Sequence, residues 1–123
     1  MKPPARAQND NHIAQLRHDL LTPINHILGF TEIQIEEAQE AGLLECVPAL
    51  TEINAGGRSL LAIIKDEFDP ADLARLSQRI ESEARPALDL AQKLAGQHQT
   101  SELQLVADAL ENLLSISQEM LKK

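Results

Sequence analysis

Apolar residues recur every three or four positions along most of this chain, and nowhere do they alternate as a strand requires. Four helical segments follow. The first runs from about 10 to 41, with Ile13, Leu16, Leu20, Ile24 and Ile27 as its stripe and Leu21, Leu28 and Ile35 flanking it. Asn9, Asp10 and Asn11 offer N-caps and Gly42 a stop. The second runs from about 46 to 67 and carries Val47, Leu50, Ile53, Leu60, Leu61 and Ile64; Pro48 fits only its first turn. The third, about 70 to 96, opens at "FDPAD", where Asp69 reads as the N-cap and Pro70 as the first helical residue. It carries Leu73, Leu76, Ile80, Ala84, Ala87, Ala91 and Leu94, and its small residues permit close helix approach. The fourth, about 101 to 122, follows the loop "AGQHQTS" with Thr100 or Ser101 as cap, and carries Leu103, Val106, Leu110, Leu113, Leu114 and Leu121.

Four helices with short connections predict an all-α protein, an antiparallel four-helix bundle built as two helical hairpins. The whole of 1–123 reads as one helical domain. Residues 10–68 make the first hairpin and 69–123 the second, which completes the bundle. The "FDPAD" junction leaves room only for a sharp reversal. Both odd-numbered helices hold an interior proline, Pro23 and Pro86, at an offset of 63, and "SLLAII" (59–64) resembles "NLLSIS" (112–117) at an offset of 53. Duplication of a hairpin and chance similarity between helical sequences both account for this.

Composition narrows the chemistry. The 123 residues are 43% hydrophobic and 24% charged, a globular balance with room for a real core. Phe30 and Phe68 are the only aromatics, so Leu, Ile and Ala fill that core, and no base-stacking surface is available. A formal net charge of −8 argues against nucleic acid and against an anionic membrane surface as partners. The run "LLAII" (60–64) is far short of a membrane span, and "MKPPARAQNDN" has no apolar signal region. One cysteine, Cys46, excludes an internal disulfide and fits a reducing, cytoplasmic setting. Cys46 itself reads as a small helix residue.

The stretch "LRHDLLTPINHILGF" (16–30) is where helical pattern and local chemistry disagree. Pro23 removes a backbone hydrogen bond and costs roughly 3 kcal/mol in an ordinary helix interior. At about 100° per residue, His18 falls opposite Leu16, Leu20, Ile24 and Ile27, so it is expected in solvent with Thr22, Asn25, Glu32 and Glu36 near the same face. Pro23 cannot donate to the carbonyl of Asp19. The pattern is thus a solvent-facing imidazole on a bendable turn, with a carboxylate beside it and a hydroxyl one turn on. His12, His26 and His98 read as surface residues, and the histidines lack the i, i+4 spacing of a helical metal pair. The carboxylates of "IEEAQE" and "IESEA" read as a solvated face. "AGG" (55–57) lies within a helical pattern and reads as a close-packing site, not a phosphate loop.

His18, Asp19, Leu20, Leu21, Thr22, Pro23 and Ile24, followed by Asn25, resemble the phosphoacceptor motif of two-component sensor histidine kinases, in their dimerisation and histidine-phosphotransfer domain. "GFTEIQIEEA" and, in helix two, "ALTEINAGGRSLLAIIKDEFD" are similar to that domain's two helices, so the resemblance covers about residues 12–68. Leu21 departs from the arginine common at its place. The resemblance implies that His18 is the phosphorylated nucleophile and that Asp19 orients or deprotonates its ring. It implies that Thr22 occupies the position that helps place water for phosphatase chemistry, that Pro23 supplies the bend, and that Asn25 belongs to the neighbouring surface.

The family's ATP-binding domain, with its acidic and glycine-rich boxes, has no counterpart after residue 68. The expected module therefore holds no cofactor of its own. ATP and Mg would belong to a partner histidine-kinase ATP-binding domain, and a response-regulator receiver domain would be the other partner. Enzymatic activity of the chain alone stays open. So does its state: a monomeric pseudo-dimer, in which 70–121 replaces the second copy, or an ordinary homodimer. The alternative function is a non-catalytic regulatory or dimerisation domain of a larger signalling protein, with a vestigial motif.

Overall fold

The predicted stripes meet in one core. A computed structural model describes residues 4–98 and 101–120, with side chains over 12–97 and 103–120. Its helices are α1 (Pro4–Ala41), α2 (Val47–Asp66), α3 (Leu73–His98) and α4 (Ser101–Met120), with one 3-10 turn, Leu44–Cys46, ahead of α2. Leu20, Ile24 and Ile27 of α1 are fully buried against Ile53, Leu60 and Ile64 of α2, Ile80, Ala84 and Ala91 of α3, and Val106, Leu110 and Leu113 of α4. Each helix packs on two neighbours, α1 on α2 and α4 and α3 on α2 and α4, which closes an antiparallel four-helix bundle. Leu121 lies outside the described residues. Among the described residues no helix is long and apolar enough to cross a membrane.

Close approach between α1 and α2 depends on Gly57. A Cβ there would meet Leu28 Cδ2 at 3.0 Å and Ile27 Cγ2 at 3.2 Å. That is the close-packing role read from "AGG". Each hairpin also carries one buried polar link. In the first, Thr31 Oγ1 donates to the Ile27 carbonyl at 2.7 Å and accepts from Asn54 Nδ2 at 2.8 Å. In the second, the hydroxyls of Ser77 and Ser117 lie 2.9 Å apart. A buried hydrogen bond adds only about 1 kcal/mol net, but leaving one partner unmatched costs about 1–3 kcal/mol, so these pairs fix the register of their hairpins.

The helix ends depart from expectation in two places. First, α1 begins at Pro4, so Asn9, Asp10 and Asn11 lie inside the helix and do not cap it. Proline suits a helix start because its fixed φ is helical and its missing N–H has no partner there anyway. Second, α3 begins at Leu73, and its cap is Asp72 in place of Asp69. Asp72 Oδ1 accepts the Arg75 N–H at 3.2 Å, the bond a cap makes to the third helical residue. Asp69 builds the preceding turn: its carboxylate accepts from the Ala71 N–H at 2.9 Å and its carbonyl from the Asp72 N–H at 3.0 Å. Pro70 serves the second position of a turn as well as it serves a helix start, and that double use explains the misplacement.

Other ends fall where the sequence puts them. Gly42 has φ +77°, with Gly42 N–H bonded to the Gln39 carbonyl at 3.3 Å and Leu43 N–H to the Ala38 carbonyl at 2.8 Å, the paired bonds of a Schellman stop. Pro48 sits in the first turn of α2. α4 starts at Ser101, which makes Ser101 its first helical residue and not its cap, and Thr100, the other cap expected, lies outside the described residues. The internal repeat divides. At the offset of 53, Leu50, Ile53, Gly57 and Leu60 match Leu103, Val106, Leu110 and Leu113, all buried. At the offset of 63, Pro23 is buried and Pro86 exposed, so that alignment sets different faces of α1 and α3 together.

Candidate functional site

Burial on one side of α1 fixes what stands on the other. Leu20, Ile24, Ile27 and Thr31 fill the core side. His18, Thr22, Asn25, Glu32 and Glu36 consequently stand in solvent, as the helical period requires. No hydrogen bond or ion pair to another described residue engages the His18 ring.

The backbone around His18 is unusual. Helix α1 continues through Pro23, whose ring is buried against the core. With no N–H at Pro23, the Asp19 carbonyl lacks its helical donor. One residue earlier, the Thr22 hydroxyl donates to the His18 carbonyl at 3.1 Å, a side-chain bond that loosens and tends to bend helices. Two consecutive carbonyls, those of His18 and Asp19, therefore have altered hydrogen bonding, and they belong to the two residues of interest.

Asp19 does not hold the imidazole. Its Oδ1 accepts from Gln15 Nε2 at 2.8 Å. Neighbouring residues on a helix point about 100° apart, whereas i and i+4 share a face, so Gln15 reaches Asp19 more easily than His18 does. Gln15 does not stand out in the sequence, although its spacing from Asp19 is the signal that could have found it.

The remaining candidates are dispersed. His26 is exposed and stacks obliquely on Phe30, ring centroids 5.9 Å apart. His12 lines a groove between α1 and α4. The side chain of His98 lies outside the described residues. Among the described residues no group of three or more His, Cys, Asp or Glu side chains is placed to hold a metal ion. Cys46 is buried in the 3-10 turn, where burial first and the Glu45 carboxylate second push its thiol pKa up. A raised pKa keeps the sulfur protonated, which is poor chemistry for a nucleophile.

Two open grooves flank the His18 face. The one between α1 and α4 has a volume of about 530 Å³ and includes Asp19 in its wall. The other, between α1 and α2, measures about 440 Å³ and is lined by Glu32, Glu36, Asn54 and Arg58 among others. Comparison with known proteins returns no family model, no curated protein and no solved structure that matches this chain.

Proposed function

We propose that this chain is a phosphotransfer module of two-component signalling, with His18 as its phosphoacceptor. The observation that carries the reading is the placement of His18. Its ring stands in solvent on α1, five residues before a buried Pro23, with Asp19 and Thr22 in the order that resembles the phosphoacceptor motif. A histidine that served only the fold would have no need of that defect.

The step is a nucleophilic displacement. A lone-pair nitrogen of neutral His18 attacks the terminal phosphorus of ATP held by a partner histidine-kinase domain. A P–N bond forms, the P–O bond to the ADP leaving group breaks, and the ring's other N–H proton passes to a base. Asp19 can take that proton only after leaving Gln15, by a side-chain rotation of the kind exposed residues make readily. In the second step a receiver aspartate oxygen attacks the same phosphorus. The P–N bond breaks, an acyl phosphate forms, and the departing imidazole takes back a proton at its other ring nitrogen, which restores neutral His18. The loosened carbonyls at residues 18 and 19 give the imidazole room to adjust between the two partners.

Incubation with ATP, Mg and the histidine kinases of the source organism tests this reading. The expected result is an acid-labile, base-stable phosphoryl label on the chain, absent in His18→Gln and passed on to receiver domains. A His18→Gln protein that labels like the wild type overturns it.

A second reading has one observation in its favour: the Asp19 carboxylate is bound to Gln15 and not to His18. On that reading the bundle is a non-catalytic regulatory or dimerisation domain of a larger signalling protein. Neither protein is then labelled, and a folded wild-type chain that neither accepts nor donates phosphoryl supports it.

A further inference from the structure

Three of the four seams of the bundle are closed by polar contacts: α1–α2 by Thr31 and Asn54, α3–α4 by Ser77 and Ser117, and the α2–α3 junction by Glu67 and Arg79. Among the described residues no side-chain hydrogen bond or ion pair crosses the α1–α4 seam. That seam is also where the groove of about 530 Å³ opens, at the end of the bundle where α1 begins and α4 ends.

The groove has an apolar floor that the fold leaves unfinished. Ile13, Leu16, Leu73 and Ile116 line it and are each only half-buried; Met120 is buried beneath. Its rim is acidic. Asp19 and Glu119 stand on either side, both exposed. Asp19 is bonded only to the neutral Gln15, and Glu119 has no described partner. The ion pairs of the described residues, Glu67–Arg79 and Glu81–Arg85, lie elsewhere. The two rim charges are part of a net charge of −8 on the whole chain.

We infer that this groove is a docking site for a basic amphipathic helix of a partner protein. The groove follows α1 from residue 12 to 19, a rise of about 10 Å, so it takes about two turns of helix. An aliphatic pair at i and i+3 or i+4 covers the floor, and Met120 adapts to its shape. Lysine or arginine beside that pair meets Asp19 and Glu119. Opposite charges across such a rim set the choice of partner and the rate of encounter. An acidic helix of the same apolar pattern is rejected. The inference goes beyond the phosphoacceptor reading and does not depend on His18 carrying phosphoryl, although Asp19 borders both surfaces.

The test uses two synthetic two-turn helical peptides, stapled for helicity, with the same leucine pair. One has lysine at the flanking positions and the other glutamate. Amide chemical shifts of the labelled protein report where each binds. The lysine peptide is expected to shift residues 12–19, 73 and 115–120, and to bind more weakly as salt rises. The glutamate peptide is expected to bind at least several-fold more weakly. Glu119→Lys, an exposed change that leaves the core untouched, is expected to weaken the lysine peptide about three- to tenfold and to strengthen the glutamate peptide. No binding of the lysine peptide at millimolar concentration, shifts centred elsewhere, or equal binding of the two peptides overturns the inference. So does an affinity for the lysine peptide that Glu119→Lys leaves unchanged.

Discussion

Arg79 holds Glu67 across the α2–α3 junction through two parallel bonds, Nε to Oε1 and Nη2 to Oε2, each 3.1 Å. Such a fork is the strongest geometry an arginine–carboxylate pair adopts. The hydrogen bond from Arg79 is the main reason that the Glu67 carboxyl lies below its ordinary 4.5; burial opposes it, and the nearby charges of Arg79 and Arg75 each add a smaller lowering effect. A carboxyl whose pKa is lower in the folded chain than in the unfolded one stabilises the fold while it is ionised. That contribution is complete above pH 4.5 and is lost as the pH falls through the folded value. Glu67→Gln is therefore expected to lower the urea midpoint at pH 7. The gap between variant and wild type should narrow as the pH falls below 4.5 and disappear once Glu67 is protonated in both states. Urea titrations of both proteins between pH 7 and pH 2.5 check this, and a gap that widens on acidification contradicts it.

At the scale of the element, the strongest test falls on Pro23. Alanine there restores an N–H to the Asp19 carbonyl and removes a cost of roughly 3 kcal/mol, against about 1 kcal/mol of lost ring burial. Pro23→Ala is thus expected to raise the stability of the bundle by about 1–2 kcal/mol, read from urea unfolding. If the bend serves phosphotransfer, the same variant is labelled at His18 more slowly than the wild type. A variant that is less stable than the wild type, or one labelled equally fast, leaves the proline with no role as a costly bend. Much at this scale is legible in the sequence. The burial of Leu20, Ile24 and Ile27 and the exposure of His18 follow from helical period alone, because each depends only on residues within a turn or two. The "FDPAD" junction is half legible: a turn and a cap both lie there, but Pro70 suits either, and only hydrogen bonds separate Asp69 from Asp72. The Ser77–Ser117 pair is not legible at all. It depends on the register of two helices 40 residues apart, and nothing local to either serine records that register. The α1–α4 groove is hidden for the same reason, since it arises where four half-buried apolar side chains fail to close a seam.

How the two hairpins pack decides how many copies of His18 a bundle presents. The apolar face of the first hairpin is covered by α3 and α4 of the same chain, through Ile80, Ala84, Val106 and Leu110. A homodimer formed by pairing first hairpins would have to strip away that cover, exposing both faces before either is buried again. Nor does the outer surface offer an obvious alternative. Among the described residues the exposed large apolar side chains are Ile33, Leu43, Leu44 and Leu105. Four such side chains are few beside the roughly 800 Å² per partner that a stable interface buries. The expected species in solution is therefore the 13.5 kDa monomer, with one His18 and at most one phosphoryl group per bundle. Sedimentation equilibrium at micromolar concentration measures the first quantity, and intact-mass spectrometry of the labelled chain under basic conditions measures the second. A stable species of twice that mass would mean that a second copy completes what the second hairpin completes in the monomer. The bundle would then present two acceptors, and the intramolecular seams of α1 with α4 and α2 with α3 would not be those that hold the protein together in solution.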